Sequence, residues 1–152
     1  MDALTVSLAI GLIVSLAVTE IFGLTAGGMI VPGYFALSVS RPLDIVITLL
    51  VAMLTFGIVR FLSQHMIVYG RRRIVLALLL GFLIGSAVRG LAHAWTTPEI
   101  ATSYFAVIGF IIPGLIALWF DRQGVMGTLG SLATSTVLVR LALIVIGLEV
   151  AL

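Results

Sequence analysis

The chain has 152 residues, is 62% hydrophobic and 9% charged, and carries a formal charge of +2 with no cysteine; its mean hydropathy is +1.34. A soluble domain is about half apolar and a quarter charged, so this much apolar surface cannot hide inside a body of this size and the solvent has to be lipid. Without cysteine, disulfide frameworks, thiolate nucleophiles and Cys-ligated metals are excluded, and without lysine so is a Walker A phosphate loop.

Ala3 to Thr19 is a run of 17 uncharged residues, just long enough to span as a helix. It lacks a basic stretch ahead of it, so it reads as a retained membrane segment rather than a cleavable signal. Glu20 interrupts. Ile21 to Ser40 adds 20 uncharged residues, punctuated by Gly23, Gly27, Gly28 and Pro32-Gly33. Arg41-Pro42 signals a turn, with Asp44 well placed for the first turn of a helix. Leu43 to Val59 is a third apolar run, closed by Arg60. Ser63 to Arg73 is the polar centre, holding Tyr69, Arg71, Arg72 and Arg73. Ile74 to Val88 opens the second half, and a polar loop with His93, Trp95 and Pro98 is expected over Arg89 to Glu99. Ile100 to Phe120 is a run of 21 uncharged residues, Asp121-Arg122-Gln123-Gly124 reads as a turn, and Val125 to Leu148 is the last span. Arg140 lies inside that span and Glu149 just beyond it.

One stretch occurs twice. Ile30-Val31-Pro32-Gly33-Tyr34-Phe35-Ala36-Leu37 and Ile111-Ile112-Pro113-Gly114-Leu115-Ile116-Ala117-Leu118 are identical at five of eight positions and lie 81 residues apart. The same offset pairs Arg41 with Arg122, Ala52 with Ala133 and Thr55 with Thr136. This predicts an all-α integral membrane protein: one polytopic domain over 1–152, about six apolar segments, and two pseudo-repeats over 1–73 and 74–152. Segments two and five are expected to be broken by Pro-Gly, because Pro removes a backbone donor and Gly removes side-chain packing. If these segments cross the bilayer, the halves are inverted; if they dip in and return, the halves are parallel. Arginine counts stand five against three in both cases, and length favours crossing. Four Arg between positions 60 and 73 assign that loop to the cytoplasmic side of a plasma membrane.

Candidate site residues fall into two groups. Pro32, Gly33, Tyr34, Pro113 and Gly114 mark a midplane site or polymer path, since matched broken helices in two repeats often carry one; the ordinary reading is a kink absorbed by packing. Glu20 and Arg140 join this group as ionisable residues in apolar runs. Against that, Glu20 at a segment end costs little, and the Arg140 stem can snorkel; the alternative is that the two pair with one another. The second group is Tyr69, Arg71, Arg72, Arg73 and Arg122, for partner docking or a polyanion; their ordinary role is topology and binding of anionic headgroups. Gly81-x-x-x-Gly85-Ser86 reads as helix packing within the chain, and Trp95 and Trp119 as interfacial aromatics. His65 and His93 are too isolated for a zinc site. No catalytic or metal-binding residue is expected.

With these motifs in place, the sequence resembles the PgsC/CapC family, the small membrane subunits of bacterial poly-gamma-glutamate capsule synthesis. The resemblance rests on Ile30–Tyr34, on Met66-Ile67-Val68-Tyr69-Gly70-Arg71-Arg72-Arg73, and on Ile111–Ala117 followed by Arg122-Gln123-Gly124. One position departs: the family pattern has Asn after the second P-G-L-I-A, where this chain has Leu118.

The resemblance implies a non-catalytic subunit that works with a cytoplasmic PgsB/CapB-like ligase and with a PgsA/CapA-like subunit, in making and exporting an anionic polymer. ATP and Mg²⁺ would belong to the ligase, and no cofactor to this chain. A homo-oligomer is left open and no nucleic-acid partner is expected. Two rivals stand beside this reading: a stand-alone secondary transporter for a small carboxylate, and a purely structural anchor for the ligase.

Overall fold

The computed structural model describes residues 3–39, 41–67, 69–95 and 106–147. These residues form six α-helices and no strand: α1 (Ala3–Phe22), α2 (Val31–Ser38), α3 (Pro42–His65), α4 (Arg71–Trp95), α5 (Ala106–Gln123) and α6 (Val125–Val145). Thr5–Phe22, Pro42–His65 and Val125–Val145 are long and apolar enough to cross a membrane. Large apolar side chains point outward along all three, Ile13 at 69%, Leu43 at 75% and Val145 at 85% exposure. Such surfaces suit lipid rather than water.

The second apolar run does not break where the sequence suggests. α1 ends at Phe22, and Gly23, Gly27 and Gly28 follow with φ of 66°, 69° and 121°. Those backbone angles belong to glycine, and they hold 23–30 out of helix. Pro32 then sits in the first turn of α2, where a proline forfeits no helical hydrogen bond. In the second copy the helix runs straight through: α5 is helical from Ala106 to Gln123 with Pro113 inside it. The interruption expected at Pro113 is absent because one lost N–H does not unwind a helix whose flanking residues favour it.

The turns are short. Arg41 N–H donates to the Ser38 carbonyl at 2.9 Å, and Pro42 opens α3 with Asp44 in its first turn. Gly124, at φ 86° and ψ 159°, alone separates α5 from α6. α4 continues through Arg89 to Trp95, so the first part of the expected polar loop is helical. The remainder of that loop, with Pro98 and Glu99, lies outside the described residues, as does Glu149; the side chains of Arg89, His93 and Trp95 are likewise not described.

Two compact units result, and they do not follow the sequence halves. Met1–Val46 with Trp119–Leu152 make one unit, and Ile47–Leu118 the other. In the first unit α1, α2 and α6 pack on one another. Ala36, Val139 and Leu143 form its buried core, with Val6, Ile10 and Val14 against them. α1 and α6 run antiparallel: the early turns of α1 meet the late turns of α6 in this core, and Val18 and Phe22 meet Met126 and Gly130 at the other end. The second unit comprises most of α3, α4 and most of α5.

Candidate functional site

Both Pro-Gly copies are contact points between backbones. In the first unit, a Cβ on Gly11 of α1 would lie 2.6 Å from the Gly33 Cα, and one on Gly33 would lie 2.9 Å from the Ser7 carbonyl oxygen and 3.1 Å from the Leu8 Cα. In the second unit, a Cβ on Gly81 of α4 would lie 2.6 Å from the Gly114 nitrogen, and one on Gly114 would lie 2.9 Å from both the Ala77 oxygen and the Leu78 Cα. Real side chains do not tolerate such distances, so each Gly33/Gly114 exists for the glycine facing it. The small-residue face at Gly81 therefore packs within the chain. The copies differ in one bond: the Ser7 hydroxyl donates to the Gly33 carbonyl at 2.9 Å, and its counterpart Ala77 has no hydroxyl.

Pro32 and Gly33 are buried and Tyr34 half-buried, with the Tyr34 N–H on the Ile30 carbonyl at 3.2 Å; Pro113 and Gly114 are buried in α5. Arg140 is half-buried in α6 and donates to the Ala36 carbonyl at 3.4 Å. That carbonyl lies in the last turn of α2, where the helix dipole favours a cation. Glu20 is exposed in the last turn of α1. The antiparallel packing puts it at the opposite end of the unit from Arg140, so the pairing of these two charges does not form.

Arg71 and Arg72 are exposed at the start of α4, Arg73 is half-buried there, and Tyr69 precedes them at 76% exposure. Met66 and Ile67, also strongly exposed, complete a turn that is both apolar and basic. Arg122 is exposed at the end of α5, its guanidinium 5.5 Å from the centre of the Trp119 ring. At that separation the ring face attracts the cation.

A polar knot escaped the sequence reading. The Gln123 Oε1 accepts from the Thr25 N–H at 3.1 Å and from the Thr25 hydroxyl at 3.3 Å. Its Nε2 donates to the Thr25 carbonyl and, at 3.1 Å, to the Thr128 hydroxyl. The Ser131 hydroxyl also reaches the Thr25 carbonyl, at 2.9 Å. All four bonds of the amide are thus made, and they tie the glycine-rich stretch 23–30 to α5 and α6. The available signal was the spacing of Thr128, Ser131 and Ser135 on one helical face of an apolar run; all three are buried. The Ser135 and Ser15 hydroxyls are buried without a partner among the described residues.

The family model described as capsule biosynthesis CapC matches residues 10–129. The chain belongs to the CapC family. It is 40% identical over 129 residues to a protein of Bacillus subtilis (strain 168) named "PGA biosynthesis protein CapC", covering 84% of this chain and 85% of that one. It is 34% identical, over the same coverage, to the "Capsule biosynthesis protein CapC" of Bacillus anthracis. No solved structure matches. The stretch common to the CapC family takes in the facing glycines Gly11 and Gly33, Gly81 and Gly114, the Tyr69–Arg73 segment, and Gln123 with Thr25 and Thr128.

Proposed function

We propose that this chain is the membrane subunit of a poly-gamma-glutamate synthase complex, required together with a cytoplasmic ATP-dependent ligase for polymer synthesis. The observation that carries this is the identity of 40% across most of both chains to a relative named for PGA biosynthesis. In this reading the ligase holds ATP and Mg²⁺ and forms the amide bonds. The exposed Tyr69, Arg71 and Arg72, with Arg73, receive the ligase or steer the growing polyanion, since Arg pairs bidentately with carboxylates. Arg140, bonded only to a carbonyl among the described residues, is the candidate cation along the polymer's route; a PgsA/CapA-like subunit would act further along it.

The reading also takes the chain as duplicated. In its support, Gly11 meets Gly33 as Gly81 meets Gly114, and Leu8 lies under the one contact as Leu78 lies under the other.

The test is complementation in a poly-gamma-glutamate producer whose own CapC gene is deleted. This chain restores polymer, and the triple change Arg71, Arg72 and Arg73→Gln lowers both polymer yield and co-purification of the ligase. Unchanged yield and assembly would remove the role of the turn. Restoration failing while the purified chain alone moves glutamate into vesicles would replace this reading with a secondary transporter.

A further inference from the structure

We infer that the second apolar segment crosses the bilayer completely, as the glycine-rich stretch followed by α2, so that each half of the chain crosses three times and the halves are inverted. The first unit supplies two rulers for depth, each a helix rising about 1.5 Å per residue. Along α6, Thr25 is held by Thr128, through Gln123, and by Ser131, which lies about 9 Å from the Val125 end. Ala36 packs with Val139 and Leu143 and accepts from Arg140, at about 21–27 Å along a helix of about 30 Å. Along α1 the order is reversed, as antiparallel packing demands. Thr25 follows the Phe22 end by three residues, whereas Gly33 lies against Ser7, Leu8 and Gly11, about 6–12 Å from the Ala3 end. α2 then continues five residues to Ser38, covering about 7 Å more.

The segment therefore leaves one end of the unit and finishes at the other, without doubling back. Non-helical backbone at membrane depth is tolerated only where its polar groups are covered by protein, and at Thr25 both backbone groups are covered, the N–H by Gln123 and the carbonyl by Gln123 and Ser131.

Parity extends this to the second copy. Hydrogen bonding puts Thr25 and Gln123 on one face of the membrane, so the chain between them crosses an even number of times. The second segment, α3 with 24 residues and α4 with 25 make three crossings, and α5 has to make the fourth. A first copy that crosses with a second that only dips would leave the count odd. With α1 and α6 the total is six. Thr5 and Ile146 then share a face, and the Met66–Arg73 turn lies on the other. That other face carries Arg60, Arg71, Arg72, Arg73 and Arg122, against Arg41, Arg89 and Arg140, which makes it cytoplasmic. On the function proposed above, a cytoplasmic ligase meets only short turns and never the ends of the described chain.

The natural absence of cysteine makes the test direct. Val39→Cys, Ile67→Cys and Ile146→Cys are introduced singly into the full chain and exposed to a membrane-impermeant maleimide, before and after permeabilisation, with denatured samples giving total thiol. The expected result is that Val39→Cys and Ile146→Cys label in intact cells and Ile67→Cys only after permeabilisation. Labelling of Val39→Cys in intact cells, with both Ile67→Cys and Ile146→Cys protected until permeabilisation, would overturn the inference in favour of re-entrant segments. Labelling of Ile67→Cys alone in intact cells would keep the inverted halves and overturn the sidedness. The labelling does not depend on polymer, so it stands or falls apart from the proposed function.

Discussion

At the scale of single residues, glycines divide into those that hold a contact and those that do not. Gly11, Gly33, Gly81 and Gly114 each face backbone at under 3.0 Å from where a Cβ would be, whereas Gly57 and Gly130 face open space. Gly→Ala at any of the first four is expected to force the helices apart and cost about 1–3 kcal/mol, in line with overpacking elsewhere. Gly57→Ala and Gly130→Ala, in helix interiors, are expected to stabilise by about 0.5–1 kcal/mol. Thermal unfolding in detergent separates the two sets. Gln123→Glu is a sharper probe of the polar knot. It keeps the acceptor for the Thr25 N–H and hydroxyl but loses both donors, leaving the Thr25 carbonyl facing a carboxylate. A loss of about 1–3 kcal/mol is expected, with Gln123→Ala no better than Gln123→Glu. Equal melting of wild type and Gln123→Glu would show that the knot contributes nothing.

At the scale of elements, the two prolines have different local costs but neither breaks a helix. Pro32 begins α2, and Pro113 sits within a continuous α5 and leaves the Gly109 carbonyl without its helical donor. Pro113→Ala restores that donor and is expected to raise the melting temperature slightly, while Pro32→Ala leaves it nearly unchanged. The informative readout is polymer yield in the same variants. Normal stability with lost polymer would give the prolines a role beyond packing, and normal yield would favour the anchoring reading. The glycine-rich stretch is more demanding. Gly28→Ala puts a Cβ at φ 121°, a region closed to other residues, and is expected to destabilise by more than 1 kcal/mol.

For the whole molecule, the mismatch between sequence halves and compact units has a consequence. α6 completes the unit of α1 and α2, and most of α3 belongs with α4 and α5. Neither half of the chain therefore contains a complete unit. A cut in the turn after His65 is expected to yield two fragments that fail to fold separately but assemble when co-expressed, measured by co-purification through a tag on one fragment. Independent, monomeric folding of either fragment would contradict the unit boundaries.

Membrane character, helical class and family membership were all legible in the sequence. They depend on composition, run length and short motifs, which act locally. The pairing of Gly33 with Gly11 and of Gly114 with Gly81 was not legible, because the partners are 22 residues apart in one copy and 33 in the other, and a comparison at the fixed offset of 81 passes over them. The glycine break at 23–28 was visible as composition, but Pro-Gly, the stronger breaker on paper, drew the expectation to itself. Pro at a first turn costs nothing, and positive φ at three glycines costs everything helical. Where each charge ends up was decided by packing alone. Arg140 meets a helix end rather than Glu20 because α1 and α6 run antiparallel, and direction of packing is a property of the folded chain, which no single run of residues encodes.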